Sequence, residues 1–194
     1  GFRVYVQPAA TVVHFEGVSS GTDIESGTKR YQAVNREKFL ERWREALALQ
    51  PEPIHDPEDA AAVRAARDHR LRGRVLVIDA YTPEPDQDSG SVRLTNLMDC
   101  LLGLGYGVTF YPDNRAWAGR YTEELQRRGV EAWYDPWLGS SQSFLERQGQ
   151  DFAAVVVSRH YIAINHIDAV RRHAPRARFI FDTVDLHYLR EQRL

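Results

Sequence analysis

The chain has 194 residues, of which 43% are hydrophobic and 27% charged, a composition typical of a globular protein. Its formal net charge of −2, from 25 basic and 27 acidic residues, gives no electrostatic reason to expect a nucleic-acid partner. A lone cysteine excludes an internal disulfide framework and a multi-cysteine zinc site, and no apolar run is long enough to span a membrane. We therefore expect a cytoplasmic protein with one sizeable domain plus an appendage.

The first third of the chain reads as two short strands, a polar loop and a helix. The strand-like stretches are 2–6 and 11–15, and a glycine-punctuated loop follows them. Asn35 is the expected N-cap of a helix that runs through Leu49, with Phe39 and Trp43 in its apolar stripe.

Prolines at positions 51, 53 and 57 then interrupt the chain, which predicts a boundary between about residues 50 and 72. Asp56 followed by Pro57 is the expected start of an alanine-rich helix that ends near Leu71. The densest basic run is expected to be a solvated helix end, and it consists of Arg70, Arg72 and Arg74.

From position 74 the chain alternates strand patterns with helical patterns. Strands such as VLVID are apolar at successive positions, which is typical of strands covered on both faces in a parallel sheet. We therefore predict an α/β fold: a Rossmann-like parallel sheet of at least five strands with helices on both faces, preceded by a short strand pair and a helical linker. The predicted strands are 75–79, 107–111, 130–134, 152–158 and 178–182, and the predicted helices are 91–104, 118–128, 142–148 and 161–173. Cys100 shares helical spacing with leucines of the first of these helices and is expected to be a buried thiol.

The loop after the first of these strands is the first candidate site, because open parallel sheets bind ligands beyond the carboxyl ends of their strands. It ends in Asp88-Ser89-Gly90-Ser91, where the N–H groups that open a helix favour an anionic or oxygen-rich ligand. Gly90 would allow that ligand to approach the backbone closely. The loop lacks both GxGxxG and GxxxxGK[ST], which disfavours nicotinamide or ATP binding in the usual manner.

The acidic residues of this loop have two interpretations. Asp86 and Asp88 suit hydrogen bonding to hydroxyl groups, as on a sugar, whereas the alternative is that Asp88 or Ser89 simply caps the helix. Arg93, one turn further on, could pair with a phosphate or with the loop acids.

Two further candidates follow the fourth and fifth strands of the predicted sheet. Arg159 could hold an anion, or it could form a surface salt bridge. Asp182, Asp185 and His187 cluster after the fifth strand, where carboxylates could orient an imidazole and hold its charge. The alternative for this cluster is a helix cap at Asp185 and a surface histidine.

Two stretches of the chain resemble known protein families. The stretch VYVQPAATVVHFEGVSSGTD with GTKRYQAVNREKFLERWREAL resembles the tail of a family 2 glycosyltransferase of the GT-A type, with His14, Glu16, Gly17 and Ser19 matching an H-x-E-G-x-S pattern. The resemblance implies that His14 could complete a divalent metal site, Mg or Mn, in a parent GT-A module. We expect no cofactor in this chain itself, because the acidic motif that supplies the other ligands is absent from it.

The stretch RVLVIDAYTPEPDQDSGSVRLTNLMDCLLGLGYGVTFYPDN, with FIFDTVDLHYLRE, resembles the N-terminal half of a family 4 (group 1) glycosyltransferase of the GT-B type. The resemblance implies that this half receives the acceptor while a C-terminal domain holds most of the nucleotide-sugar donor. It also implies that Gly90 approaches the donor phosphates across a cleft, and that Asp185 and His187 are catalytic. The family often carries a histidine–aspartate pair at this place, where the present chain reads T-V-D-L-H.

We therefore expect a fragment of a multidomain glycosyltransferase, with residues 1–50 as a GT-A tail, 51–73 as a helical linker and 74–194 as the acceptor-side GT-B domain. Its partners would be a nucleotide-sugar donor and a glycan or lipid-linked acceptor in bacterial surface polysaccharide synthesis, in the cytoplasm or at the inner membrane surface. The isolated fragment is expected to be inactive. The alternatives are a non-enzymatic flavodoxin-like binding or interaction module, and an ordinary nucleotide-cofactor enzyme, which the missing glycine fingerprint disfavours.

Overall fold

The structure is a computed structural model, and it describes residues 10–13, 23, 25 and 27–184. The chain divides into two units, Gly1–Pro53 and Ile54–Leu194. Among the described residues, no helix combines the length and the apolar character that crossing a bilayer requires.

The described part of the first unit is helical. A 3-10 turn at Gly27–Lys29 leads into helix α1 (Arg30–Arg42), and a short helix α2 (Arg44–Leu47) follows. The prediction that Asn35 caps this helix is wrong, because the preceding turn already has helical geometry and the helix begins five residues earlier, at Arg30. Residues 11–13 carry no strand, so the predicted strand at 11–15 is not formed there, and its last two residues lie outside the described part.

Helix α3 (Ala60–Asp68) opens the second unit, and its start differs from the expectation. Asp59, not Asp56, is the N-cap, since its carboxylate accepts from the N–H groups of Ala61 and Ala62, each at 3.0 Å. Asp56 instead accepts from the N–H of Glu58 at 2.9 Å and so stabilises the turn before the helix. Both acids can cap, and the one that directly precedes the alanine run satisfies two of the helix's unpaired N–H groups.

The second unit contains a five-stranded sheet in which every pairing is parallel. This confirms the predicted Rossmann-like α/β fold. The strands are β1 (Arg74–Asp79), β2 (Gly107–Pro112), β3 (Glu131–Ala132), β4 (Phe152–Ser158) and β5 (Arg178–Asp182). The helices between them are α4 (Ser89–Gly103), α5 (Arg120–Arg128), α6 (Ser141–Gln148) and α7 (His160–His173).

Only the third strand is much shorter than predicted. The expected strand at 130–134 is reduced to Glu131–Ala132 at the edge of the sheet. Beyond it, the N–H of Asp135 bonds to the carbonyl of Arg115 at 2.9 Å, in the loop that follows β2. The apolar residues after Ala132 therefore belong to a loop, whose position is decided by contacts with another loop.

The sheet is covered on both faces by two separate apolar layers. On one face α4 and α5 pack against Val75, Val77 and Phe110, and on the other α6 and α7 pack against Leu76 and Ile78. All six residues of β1 are buried. This explains why VLVID is apolar at successive positions, since a central parallel strand has no solvent-facing side.

The strand order is β3-β2-β1-β4-β5, so β1 lies between β2 and β4. The chain winds outward from β1 to β3, then crosses back to place β4 on the other side of β1. The order is that of the first five strands of a Rossmann fold, 3-2-1-4-5. It differs from the flavodoxin-like order, 2-1-3-4-5, in which β3 is the neighbour of β1. The order therefore disfavours a flavodoxin-like topology, while a non-enzymatic role stays an alternative. The topological switch point lies between β1 and β4.

Two expectations about burial are wrong. Cys100 is exposed, because Met98, fully buried, and Leu94 form the inner stripe of α4 and turn the thiol toward solvent. Arg74 belongs to β1 rather than to a solvated helix end, and only 6% of its surface is exposed. Its guanidinium donates to Asp68 at 2.7 Å and to both carboxylate oxygens of Glu131 at 2.8 Å. These bonds replace the hydration that the guanidinium loses on burial.

Candidate functional site

The switch point holds an ion pair between the ends of two neighbouring strands. Asp79 is the last residue of β1 and is 6% exposed, and Arg159 directly follows β4. The Nε of Arg159 donates to Oδ1 of Asp79 at 2.7 Å, and the N–H of Ala80 donates to the same oxygen at 2.7 Å. The pair fixes a cation at the carboxyl edge of the sheet, where folds of this kind bind ligands.

The backbone of Arg159 is strained. Its φ of 69° and ψ of 137° lie in a region that residues with a side chain rarely adopt, at a cost of roughly 1–3 kcal/mol. The surrounding structure holds it there, because its N–H donates to the carbonyl of Asp182 at 3.1 Å, at the end of β5. The turn aims the arginine side chain back across β4 toward β1 instead of outward.

Tyr81 contacts the same guanidinium through both its hydroxyl and its ring. The Nη2 of Arg159 donates to the hydroxyl of Tyr81 at 3.3 Å, and the guanidinium carbon lies 5.2 Å from the centre of the tyrosine ring. Burial alone would lower the pKa of Arg159, but the hydrogen bond to Asp79 and its negative charge outweigh burial and raise that pKa above its ordinary value. Arg159 therefore stays protonated, and its charge is paired with that of Asp79.

The start of α4 is capped by its own loop. Asp88 Oδ1 accepts from the N–H of Ser91 at 2.8 Å, and Oδ2 accepts from the Ser91 hydroxyl at 2.6 Å. The hydroxyl and N–H of Ser91 lower the pKa of Asp88. Of the two interpretations of Asp88, the capping role is the one that the geometry shows. Ser89 is exposed and is the first residue of the helix, so it is not the cap.

Gly90 lies where the first turn of α4 approaches the chain that leaves β5. A β-carbon at this position would lie 3.0 Å from Asp88 Oδ1 and 3.7 Å from Cγ1 of Val184. The α4 N-terminus is therefore adjacent to the end of β5 as well as to the loop after β1. Any larger residue at position 90 would crowd the capping carboxylate.

The remaining charged residues of the site pair within the protein. Arg93 hydrogen-bonds through Nη1 to Oδ2 of Asp182, whose other oxygen accepts from the N–H of Val184 at 3.3 Å. Arg93 thus pairs with the last residue of β5, not with the acids of the first loop. Asp86 pairs with Arg120 at the start of α5.

The structure brings six of the predicted site residues to one edge of the sheet. Five lie on the first turns of α4 or on the loop before it, and the sixth follows β4: Asp88, Ser89, Gly90, Ser91, Arg93 and Arg159. Asp185 and His187 lie outside the described residues, as do His14, Glu16, Gly17 and Ser19. Their roles stay predictions.

A histidine–aspartate pair at this edge was missed by the sequence analysis. His166, on α7, is 2% exposed, and its Nε2 lies 2.7 Å from Oδ1 of Asp113, in the loop after β2. The N–H of Asp113 donates to the carbonyl of Asp79 at 2.8 Å, which joins this pair to the switch point. A signal for the burial of His166 was present, because it stands midway in the i, i+4 series Ile162, His166, Val170.

Within the described parts of the chain, no group of three or more histidine, cysteine, aspartate or glutamate side chains is arranged to hold a metal ion. Comparisons of the chain with the models of known protein families and with the sequences of curated proteins give no match. The function is therefore argued from the geometry of the site and from the resemblance of its residues.

Proposed function

We propose that the chain is part of a glycosyltransferase, and that its α/β unit forms the acceptor-side half of a nucleotide-sugar-dependent enzyme of the GT-B type. The parent enzyme would transfer a sugar to a glycan or lipid-linked acceptor in bacterial surface polysaccharide synthesis. The resemblance of the segments around Gly90 and after β5 is the sequence argument for this proposal. The structural support is the fold and its switch-point site.

The observation that carries the proposal is the position of Gly90 and Arg159 at one carboxyl edge, on the two sides of the β1/β4 switch point. The N-terminal end of α4 carries a partial positive charge, and Arg159 carries a full one that Asp79 partly neutralises. A diphosphate that reached this edge from a second domain would meet both groups. A single glycine is enough for such an approach, because the phosphates would contact the loop from one side only. A loop that surrounds the phosphates needs several glycines.

In this proposal Asp88 and Asp79 position the charged groups rather than bind the sugar. Asp88 holds the first turn of α4, and Asp79 holds the Arg159 guanidinium. Catalysis then depends on orientation and on stabilisation of the charge that develops on the leaving diphosphate. Asp185 and His187 are the proposed groups that contact the reacting sugar.

A titration of the ¹⁵N-labelled chain with nucleotide sugars tests the proposal. We expect UDP- or GDP-sugars to shift the backbone resonances of Gly90, Ser91 and Arg159, and we expect Arg159→Gln to weaken that response about tenfold, the effect of losing one charged contact. NAD and FMN serve as comparison ligands. Shifts at these residues with NAD or FMN alone, or no shift there with any nucleotide sugar, would refute the proposed function.

A sugar-transfer assay tests the division of labour within the proposed enzyme. Purified chain with a panel of nucleotide-sugar donors should give little or no transfer, since most donor contacts are assigned to another domain. Robust turnover by the chain alone would contradict that assignment, while it would leave the reaction class in place.

A further inference from the structure

A second candidate site lies along the edge strand β3. A groove of about 340 Å³ is found there, at the low end of the range for small-molecule sites, about 300–1,000 Å³. Half of the lining residues are aromatic, and the lining consists of Gln126, Glu131, Ala132, Trp133, Tyr134 and Trp137.

Three aromatic rings form a connected platform, of which Tyr134 and Trp137 line the groove and Trp117 packs against Tyr134. The ring centres of Trp117 and Tyr134 are 4.7 Å apart, and those of Tyr134 and Trp137 are 5.4 Å apart with the planes nearly perpendicular. Even so, Trp137 is 64% exposed and Trp117 is 46% exposed. Large aromatic side chains that are clustered yet left open to water typically mark a binding surface.

The backbone beneath these rings is held in place by loop-to-loop contacts. Asp135 bonds through its N–H to the carbonyl of Arg115 at 2.9 Å, and its Oδ1 accepts from the N–H of Gly139 at 3.1 Å. The buried Tyr111 donates its hydroxyl to the carbonyl of Gly139 at 3.0 Å. The rings are therefore presented by an anchored turn, so a ligand would bind with little loss of loop entropy.

The polar groups of the groove restrict the chemistry of the ligand. No basic residue is among the described residues that line the groove, which leaves a phosphate or carboxylate ligand without a counter-charge there. The one charged lining residue, Glu131, already accepts two bonds from Arg74 and one from the Thr109 hydroxyl at 3.3 Å, and a carboxylate offers about four acceptor positions. The side-chain amide of Gln126 donates to the carbonyl of Ala132 at 3.1 Å, which leaves its carbonyl oxygen as a further acceptor at the rim.

We propose that this groove binds a neutral pyranose unit of the acceptor glycan, with its C–H face stacked on the exposed ring of Trp137, which Tyr134 and, behind it, Trp117 hold in place. A pyranose presents polarised C–H bonds on one face, which suit the negative face of an aromatic ring, and hydroxyl groups around its edge, which suit carboxylate and amide acceptors. The assignment of that sugar to the acceptor rests on the proposed function, whereas the binding of a neutral sugar does not.

The position of the groove agrees with this role. Trp133 and Tyr134 directly follow β3, and Trp117 lies in the loop after β2, so the platform stands at the carboxyl ends of those strands. The switch-point site lies at the carboxyl ends of β1 and β4, along the same edge. An extended glycan could reach both, with the groove holding a unit remote from the transferred sugar.

Binding of neutral saccharides to the whole chain, followed by tryptophan fluorescence and by calorimetry, tests the proposal. The panel comprises glucose, galactose, mannose and N-acetylglucosamine as monosaccharides and their β- and α-linked disaccharides, with UMP as a charged stacking ligand. We expect saturable binding of at least one neutral saccharide, an affinity loss of about tenfold or more in Trp137→Ala, and retention of binding in Trp137→Phe.

Trp43→Ala is the matched control, because Trp43 is also 46% exposed but lies in the first unit, between α1 and α2. It should leave the affinity unchanged. The proposal is overturned if no neutral saccharide binds, if binding survives Trp137→Ala and Trp117→Ala unchanged, if UMP binds in preference to the sugars, or if the alanine variants abolish only self-association of the chain. Failure of the nucleotide-sugar titration with intact saccharide binding would instead refute the proposed enzyme and keep the groove as a sugar site.

Discussion

Arg159 and Asp79 lie 80 positions apart in the sequence, and their side chains are joined at 2.7 Å across the point where the strand order reverses. The pair links the end of β4 to the end of β1 and sets the charge of the candidate site. The carboxylate of Asp79 is almost fully buried, so its negative charge must be compensated within the protein. The guanidinium of Arg159 and the N–H of Ala80 provide that compensation.

Replacement of Arg159 by alanine should destabilise the protein by about 2–4 kcal/mol, since it leaves a buried carboxylate without its counter-charge. Urea unfolding followed by circular dichroism measures the change, with the exposed Arg171 of α7 as the control, where alanine should change stability by less than about 0.5 kcal/mol. Equal values for the two variants would show that the pair contributes nothing.

The backbone of Arg159 permits a second, matched comparison. Arg159→Gly removes the same guanidinium as Arg159→Ala but adopts the positive φ without strain, so the glycine variant should be more stable than the alanine variant by about 1 kcal/mol. The same urea experiment compares the two. An alanine variant as stable as the glycine variant would mean that the turn relaxes once the arginine is gone.

Acid should weaken the network around Arg74. Burial alone would raise the pKa of Asp68, but hydrogen bonds from Arg67 and Arg74 outweigh it and lower that pKa from 3.8 to about 2. A carboxylate with a depressed pKa contributes stability above its unfolded pKa and loses it as the pH falls. We expect Asp68→Asn to flatten the dependence of the unfolding free energy on pH between about pH 4 and pH 2; an unchanged slope would contradict the ion-pair assignment.

Alkali should act through Tyr111. Burial raises the pKa of its hydroxyl from 10.0 to about 12, so the folded state favours the neutral form. The contribution of the neutral Tyr111 hydroxyl to the unfolding free energy is complete below about pH 10 and is lost as the pH rises toward 12. Tyrosinate absorbance should show one late-titrating group, and Tyr111→Phe should remove it and cost about 1 kcal/mol at neutral pH through the lost bond to the Gly139 carbonyl. A late titration that persists in Tyr111→Phe would assign it elsewhere.

Two glycines should respond to alanine in opposite ways. A β-carbon at Gly149 would lie 2.4 Å from the carbonyl oxygen of His173, whereas one at Gly103, the last residue of α4, would meet nothing within 4 Å. Gly149→Ala should therefore destabilise by about 2 kcal/mol or more, since backbone must move, and Gly103→Ala should be neutral or stabilise by up to about 1 kcal/mol. Thermal unfolding measures both. A neutral Gly149→Ala would show that the loop between α6 and β4 can shift freely.

The strands and helices of the second unit were predictable because their signals are local. Runs such as VLVID and AAVVVS are apolar at successive positions, and the helices between them carry their own stripes and ends. The errors occurred where two local signals compete or where a distant contact decides. Asp56 and Asp59 are both credible caps, and the adjoining alanine run selects Asp59. Cys100 and Met98 are both apolar members of α4, and the packing of the helix on the sheet buries Met98.

The candidate site was predictable in part, for the same reason. Parallel strands place their following loops at one edge, so Gly90 and Arg159 could be assigned to that edge from the sequence. The ion-pair partners of the site residues could not be predicted. Arg93 has several acids near it in the sequence, and only the position of β5 beside β4 brings Asp182 to it. The sequence also offers no sign that the tryptophans at 117 and 137 converge on Tyr134.

By itself, then, the amino-acid sequence determined that residues from Arg74 onward form alternating strands and helices of a doubly covered parallel sheet, because burial on both faces requires apolar runs that can be read locally. Only the tertiary structure decided the order β3-β2-β1-β4-β5, the pairing of Arg74 with Glu131 and of Arg159 with Asp79, and the assembly of the aromatic groove. These depend on contacts between residues far apart in the chain, whose partners are selected by the packing of whole elements and leave no periodic trace in the sequence.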